Sequence, residues 1–296
     1  MEVAEGIHLI KCPFSTYFVS SCAIVGKSIA LIDAGVTESP EVAIYPYLRS
    51  IGREPSEISH ILLTHAHFDH CGGVAPIKRE TRCKVGVHEL GKTLLEDAGL
   101  IDRQLRNRFP NLFQEKKPDF ESTKVDIALR DGDTIDLDGD TLRVLHVPGH
   151  SACSSCFVDD EQGVYICGDS VQGRGERRPL LFHSSTEYLK SMRRLIKEPI
   201  KLLINGHPFP PFNKAVLEGR ESREHVSQSL RSIEELNSLV WNTLKTTRTP
   251  MSPKQMHERI GMSQPVTIGC ILEALEKENK VERVSARESD SWAAKV

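Results

Sequence analysis

The sequence predicts an α/β fold: sheet layers covered by helices over most of the chain, with a smaller helical domain behind them. Two observations carry this. From the N-terminus to about residue 215, short apolar runs, mostly β-branched or aromatic and bounded by Gly, Pro, Asp or Ser, alternate with turn signals and helical stretches. After Phe212 the texture changes to long, polar, periodically apolar segments that read as helices. At 296 residues and 33.1 kDa the chain has the length for one large and one small domain, taken here as residues 1–215 and 216–296.

Taken in order, TYFVSSCAIVG and SIALIDAG read as two strands able to pair through a turn at Gly26 and Lys27. A helix is expected over residues 40–51, then a buried strand in SHILLTH and another in KVGVHE, with a helix over 88–97. Residues 100–120, LIDRQLRNRFPNLFQEKKPDF, form a basic and aromatic insertion that reads as a lid. LRVLHVPGH, SSCFVDD, GVYICGDS and KLLING supply further strands, and residues 184–197 a helix opened by a Ser184–Glu187 capping box. Residues 220–246 repeat apolar positions at Val226, Leu230, Ile233, Leu236, Leu239 and Val240. SPKQMHERIG and TIGCILEALEKENK give two more helices, and KVERVSAR with SWAAKV a small hairpin, the order of a winged-helix module.

Composition limits the function. Hydrophobic residues make up 39% and charged residues 27%, the profile of a globular protein. A net charge of −3 gives no general attraction to nucleic acid or anionic membrane. Residues 220–296 carry 12 Lys/Arg against 11 Asp/Glu, so the winged-helix pattern lacks the basic face that DNA binding requires. No charged leader with an apolar core and no membrane-length apolar run is visible, and the eight cysteines read as reduced thiols, so the expected location is cytoplasmic.

The chemistry is concentrated in THAHFDHCGG, Thr64 to Gly73, at the end of the run ISHILL. His65 and His67 alternate by two, so a continuing strand points both to one side, where they can share a metal. Asp69 and His70 fall on the turn into the next helix and can face a second cation, and Gly72–Gly73 permits that turn. Three further apolar runs end on one ligand type each: His150 in HVPGH, Asp169 in YICGDS and His207 in LLINGH. Their common form implies that several strands deliver side chains to one rim. Cys153-X-X-Cys156 has no second CxxC to complete a zinc site and reads as core packing, and Cys71 as packing beside the site.

With His65, His67, Asp69, His70, His150, Asp169 and His207 in this order, the sequence resembles the metallo-β-lactamase-fold hydrolases over roughly residues 7–212. The resemblance implies an αββα sandwich with the site along one edge. It implies His65, His67 and His150 on one metal, Asp69, His70 and His207 on the other, and Asp169 bridging. LIDAG resembles the family's strand-end Asp-X-Gly, making Asp33 a carboxylate that supports a ligand. Two divalent ions, zinc by ligand type, with iron and manganese also compatible, would share a water and lower its pKa from 15.7 toward about 7. The resulting bridging hydroxide attacks the scissile bond, and Asp69 is the candidate for moving a proton.

In organisation the chain is similar to the β-lactamase-like protein 2 group, which includes an endoribonuclease and shares the long helix after the last His and the short tail. GDSVQGRGERRPLLFHSSTEYLKSMRRL is similar to the corresponding join in quinolone-signal thioesterases of this fold. PFPPF after His207 departs from the Gly-Pro-X-Ile of many relatives. Arg174, Arg177 and Arg178 are candidates to hold an anionic substrate group, with Phe209, Phe212 and Phe182 as candidate walls of an acyl pocket. The expectation is a dinuclear-metal hydrolase of small esters, thioesters or lactones. The alternatives are a metal-dependent ribonuclease and a di-iron redox or sensing protein. The 220–246 helix and tail also offer a surface for a homodimer.

Overall fold

The computed structural model describes the chain except for residues 115, 117, 118, 138, 285–290 and 296. Two sheets stack face to face, each covered on its outer side by helices, as the α/β reading requires. The first sheet has seven strands in chain order: β1 (Glu2–Ala4), β2 (Ile7–Phe14), β3 (Tyr17–Val25), β4 (Ile29–Ile32), β5 (Ile58–Leu63), β6 (Lys84–His88) and β7 (Ile127–Leu129). The second contains β8 (Thr134–Leu137), β9 (Asp140–His146), β10 (Ser155–Asp159), β11 (Val164–Gly168), β12 (Leu202–Phe209) and β13 (Lys214–Glu218), ordered β13-β12-β11-β10-β9-β8. β3 and β4 pair antiparallel across the Gly26–Lys27 turn as expected, and β4, β5 and β6 run parallel.

The strands are apolar on both faces because both faces are covered. In β4, Ile29 and Leu31 join the core under the outer helices, while Ala30 and Ile32 join the layer between the sheets. Across that middle layer they meet Val144, Phe157 and Ile204 of the second sheet. The first outer layer holds α1 (Tyr45–Ser50), α2 (Phe68–Cys71) and α3 (Val74–Thr81). The helix expected over 40–51 is found, as a π-helical stretch over Pro40–Ile44 that runs straight into α1. Only Lys92–Glu96, α4, of the 88–97 stretch is α-helical.

The insertion forms α5 (Leu100–Arg108) and then crosses the site; its residues 115, 117 and 118 lie outside the described residues. The second outer layer contains α6 (Ser185–Leu195), α7 (Arg220–Thr247), α8 (Pro253–Ile260) and α9 (Pro265–Lys277). Ser184 caps α6 by accepting from the Glu187 N–H, but the return half of the box is missing because the Glu187 carboxylate pairs with Lys190 at 2.9 Å. The reciprocal box sits on α8 instead, between Ser252 and Gln255.

β14 (Val281–Val284) and β15 (Ser291–Ala294) make the C-terminal hairpin; its connection, residues 285–290, lies outside the described residues. β13 ends at Glu218, so the second sheet runs past residue 215. One continuous core joins Val158, Tyr165 and Leu203 of that sheet to Ile233 and Val240 of α7, Ile271 of α9 and Trp292 of β15. The C-terminal helices are therefore built onto the sandwich. Among the described residues no helix is long and apolar enough to cross a membrane.

Candidate metal centre

β5 ends at Leu63, and Thr64 to His67 leave it as an extended loop before α2. The strand that was to align His65 and His67 thus stops short. The two rings still converge, with centroids 4.6 Å apart. Asp69 and His70 lie on the single turn of α2, where they face the same space. From the second sheet come His150 after β9, Asp169 one residue beyond β11, and His207 within β12. The seven predicted side chains meet as three overlapping groups: His65, His67 and His150; His65, His70 and Asp169; and Asp69, His70 and His207. Within each group the candidate ligand atoms lie within 4.8 Å of one another.

Hydrogen bonds on the far side of each ring determine which nitrogen faces inward. His150 Nδ1 donates to Leu180 O at 2.7 Å, His207 Nδ1 to Phe18 O at 2.9 Å, and His70 Nδ1 to Asp33 Oδ2 at 2.7 Å. His65 Nδ1 lies 3.1 Å from Thr64 Oγ1, whose proton goes to Asp33. Each therefore turns Nε2 to the centre, the arrangement that fixes a metal ligand's tautomer. His67 is the exception and presents Nδ1, 2.9 Å from His150 Nε2. His207 Nε2 sits 3.1 Å from Asp69 Oδ2, and His70 Nε2 3.3 Å from Asp169 Oδ1.

These groups fit divalent cations. His65 Nε2, His70 Nε2 and Asp169 Oδ1 are buried with no hydrogen-bond partner, and such orphans carry a desolvation cost that a cation would offset. Burial, then the neighbouring histidines, hold His65 far below the usual imidazole range, and the same causes bring His67 to about 3, so both are neutral donors at physiological pH. In the metal-free cluster burial would push Asp69 up, but the neighbouring His70 and His207 outweigh it and bring it to about 2. Asp169 is lowered in the same way by His207 and His70, again against burial. The donors are all nitrogen and oxygen, which suits zinc and also iron or manganese.

Asp33 lies directly behind this cluster. Its Oδ1 accepts the Thr64 N–H at 2.8 Å, and its Oδ2 accepts the Thr64 hydroxyl and His70 Nδ1–H at 2.7 Å each. Its φ of +63° is left-handed backbone, a conformation Asp tolerates better than most residues. Thr64, which organises both Asp33 and His65, was missed in the sequence although it opens the motif. Gly206 was not singled out in the sequence. A Cβ there would collide with Asp169 Oδ1 and His70 Cε1, so the absence of a side chain lets these two residues close up.

The site opens into a cavity of about 310 Å³. Phe14, Tyr17, Phe68 and Phe182 wall it, with Ile101 and Leu105 of α5 above, so the 100–120 segment does cover the site. Phe182 lies with its ring centroid 5.0 Å from His67 and 5.6 Å from His150. Of the three candidate arginines only Arg178 lines the cavity, with its guanidinium 4.6 Å over Phe209. Arg174 is turned away and paired to Glu235 at 2.7 Å, and Arg177 is exposed off the rim. Phe209 is buried beneath Arg178 and Phe212 packs on His225, so neither walls the cavity. Lys116, unforeseen as a lining residue, enters the cavity with Asp119 2.6 Å away.

The eight cysteines are free and buried. Cys153 contacts Ser151 Oγ at 3.0 Å, while Cys156 belongs to the outer core beside Cys167, which separates the CxxC pair as packing residues. Cys71 is buried next to the site and is not among its ligand groups.

The family model described as metallo-beta-lactamase superfamily matches residues 15–207. Over 226 residues the chain is 31% identical to the lactamase-like protein adaB of Aspergillus niger, covering 74% of this chain and 58% of that protein. It is 29% identical over 143 residues to a hydroxyacylglutathione hydrolase of Rhodopseudomonas palustris, covering 47% and 44% of the two chains. It is 28% identical over 197 residues to an atrochrysone carboxyl ACP thioesterase of Aspergillus fumigatus, covering 66% and 38%. The chain thus spans about half the length of the curated relatives it matches. Among solved structures, a metallo-beta-lactamase family protein of Thermus thermophilus superposes with a TM-score of 0.75 at 20% identity over 99% of both chains. BJP-1, a subclass B3 metallo-beta-lactamase of Bradyrhizobium japonicum, gives 0.59 at 22% identity over 82% of this chain and 93% of that one. These structures speak to the fold, and the first extends that likeness through the C-terminal helices.

Proposed function

The chain belongs to the metallo-β-lactamase superfamily, and from that premise we propose that it is a two-metal hydrolase of small thioesters or esters. The observation that carries this is the closed donor set beside an aromatic cavity of about 310 Å³, a volume suited to a small acyl group. His65, His67 and His150 would hold one ion, Asp69, His70 and His207 the other, and Asp169 would reach both. Such ions supply an activated water and Lewis-acid polarisation of the scissile carbonyl.

The remaining work falls to the chain's own side chains. Asp33 and Thr64 hold His70 and His65 in the tautomer that turns Nε2 inward. Asp69, kept ionised by His70 and His207, is positioned to accept and pass on a proton at Oδ2. Phe182 and the α5 residues exclude bulk water from the rim, and Arg178 offers a cation to an anionic substrate. Relatives named for hydroxyacylglutathione hydrolysis and carrier-protein thioesterase activity favour the thioester.

Turnover of acyl thioesters, aryl esters, lactones and a short single-stranded RNA by zinc-loaded protein and its Asp69→Ala variant tests this. Thioester or ester hydrolysis that falls at least a hundredfold in the variant is expected. RNA cleavage with acyl substrates left intact overturns it.

A further inference from the structure

A second, larger depression of about 1150 Å³ lies on the other side of Phe182, between α5 and α9. His67, Ile101, Leu105 and Phe182 line both it and the aromatic cavity. The two spaces therefore meet at a metal-ligand histidine. A substrate cut at that junction would leave one half in each space, and the halves differ in character. The inner cavity is aromatic and sized for a small acyl group, whereas the outer groove exceeds the volumes usual for drug-sized ligands and is lined by Gln104, Asn107, Ser184 and Thr186.

The groove's charges are sorted by their partners. Three of its carboxylates are paired with cations, Glu273 with Arg108 at 2.6 Å, Glu278 with Lys280 at 2.7 Å and Glu187 with Lys190 at 2.9 Å, while Glu276 accepts the Trp292 indole N–H at 3.0 Å and keeps its charge. Two cations there have no carboxylate partner among the described residues. Lys277 is exposed at the end of α9, and Arg283 on β14 stacks over Trp292 at 4.6 Å and otherwise only approaches Arg108 O. At this end of the groove Lys277 and Arg283 are thus two positive charges with no carboxylate partner among the described residues.

We propose that this groove seats the leaving half of the substrate, a long, polar thiol arm that ends in phosphate, with Lys277 and Arg283 holding that phosphate. This rests on the thioester reading above and names its substrate class. In the reaction water adds across the C–S bond: its oxygen bonds to the carbonyl carbon, the C–S bond breaks, and the arm leaves as the free thiol beside a carboxylic acid. The phosphorylated arm is common to coenzyme A thioesters and to pantetheine thioesters on a carrier protein, and both are to be tested as substrates.

The test has a binding arm and a turnover arm. Desulfo-coenzyme A, which has the arm without the sulfur, is titrated calorimetrically into the full chain, its Lys277→Glu and Arg283→Gln variants, and Lys27→Glu as a charge control on the β3–β4 turn. Binding weakened about tenfold by Lys277→Glu and by Arg283→Gln, and kept by the control, is expected for loss of one charge-assisted contact. No binding to the parent chain, or equal weakening in all variants, overturns the groove assignment. In turnover, the kcat/KM ratio of butyryl-coenzyme A to butyryl-N-acetylcysteamine, a truncated neutral thioester, should fall about tenfold in Lys277→Glu. An unchanged ratio overturns the proposal. Butyryl-pantetheine carrier protein replaces the coenzyme A thioester in a parallel series to identify the source of the arm. Binding of the desulfo compound without hydrolysis of any thioester would retain the groove and reject the catalytic reading, so the two fail separately.

Discussion

Replacing Asp33 by Asn isolates what a single buried carboxylate does for the centre. Asn tolerates the left-handed backbone at this position and has nearly the same volume, so the change is confined to charge and donor pattern. The native carboxylate accepts three hydrogen bonds, from the Thr64 N–H, the Thr64 hydroxyl and His70 Nδ1–H. An amide has one acceptor oxygen, so in either orientation its NH2 faces a donor already aimed at it. Hydrogen bonds to charged groups contribute about 1.5–3 kcal/mol each, so losing one with a buried donor left over costs about 3 kcal/mol. At about 2–4 °C per kcal/mol for chains of 150–250 residues, the metal-free protein should melt about 6–12 °C lower. His70 would also lose the partner that turns its Nε2 inward, and zinc affinity should fall 10- to 100-fold. Calorimetric melting of the metal-free protein and chelator competition with zinc measure the two effects independently. A melting point within 2 °C of the parent together with zinc affinity within about threefold would refute the reasoning.

Two other perturbations follow from the packing. Gly206→Ala puts a methyl group against Asp169 Oδ1 and His70 Cε1, so zinc affinity should fall about 100-fold while the far-ultraviolet circular dichroism keeps its folded shape. His225, buried in α7 against Phe212, has its pKa brought by burial to about 4 from an ordinary 6.5. Its folded value is depressed, so its contribution is present above pH 6.5 and is lost as pH falls toward 4, because the unfolded chain takes up the proton first. That loss amounts to about 3 kcal/mol, and His225→Leu should flatten the slope of stability between pH 6.5 and 4 in denaturant titrations.

The candidate metal centre was legible in the sequence because most of its residues lie at or just beyond strand ends, where local patterning sets both position and direction. His150, Asp169 and His207 each come at or just after an apolar run, and β9, β11 and β12 of the second sheet bring them to one rim. The aligned-strand argument for His65 and His67 failed in detail since β5 stops at Leu63, yet the extended loop keeps the same alternation. The rim was harder to read. Arg174, Arg177 and Arg178 are near neighbours in sequence, and only the turn of the loop over Phe209 selects Arg178. Arg108 and Lys116 come from the 100–120 insertion and Lys277 from α9 far downstream, and their meeting depends on how α5 docks against α9. Short strands such as β7 (IAL) carry too few residues for alternation to be seen, and β13 was lost among the charges that begin the C-terminal region.

Arg108 ties together three parts of the chain. Its guanidinium donates to Phe182 O at 2.6 Å and His183 O at 2.9 Å and pairs with Glu273 at 2.6 Å. The aromatic rim over the histidines, the covering helix and a helix more than 160 residues downstream therefore share one fastening. For anyone wishing to recombine this catalytic sandwich with another tail, the last third of the chain is not interchangeable upholstery. An exchange that carried the donor's α9 without its α5 would leave a cation facing the wrong surface, and the rim loop would lose its anchor along with the old specificity. Such chimeras have to be cut so that residues 100–109, 180–184 and 265–277 travel as a set.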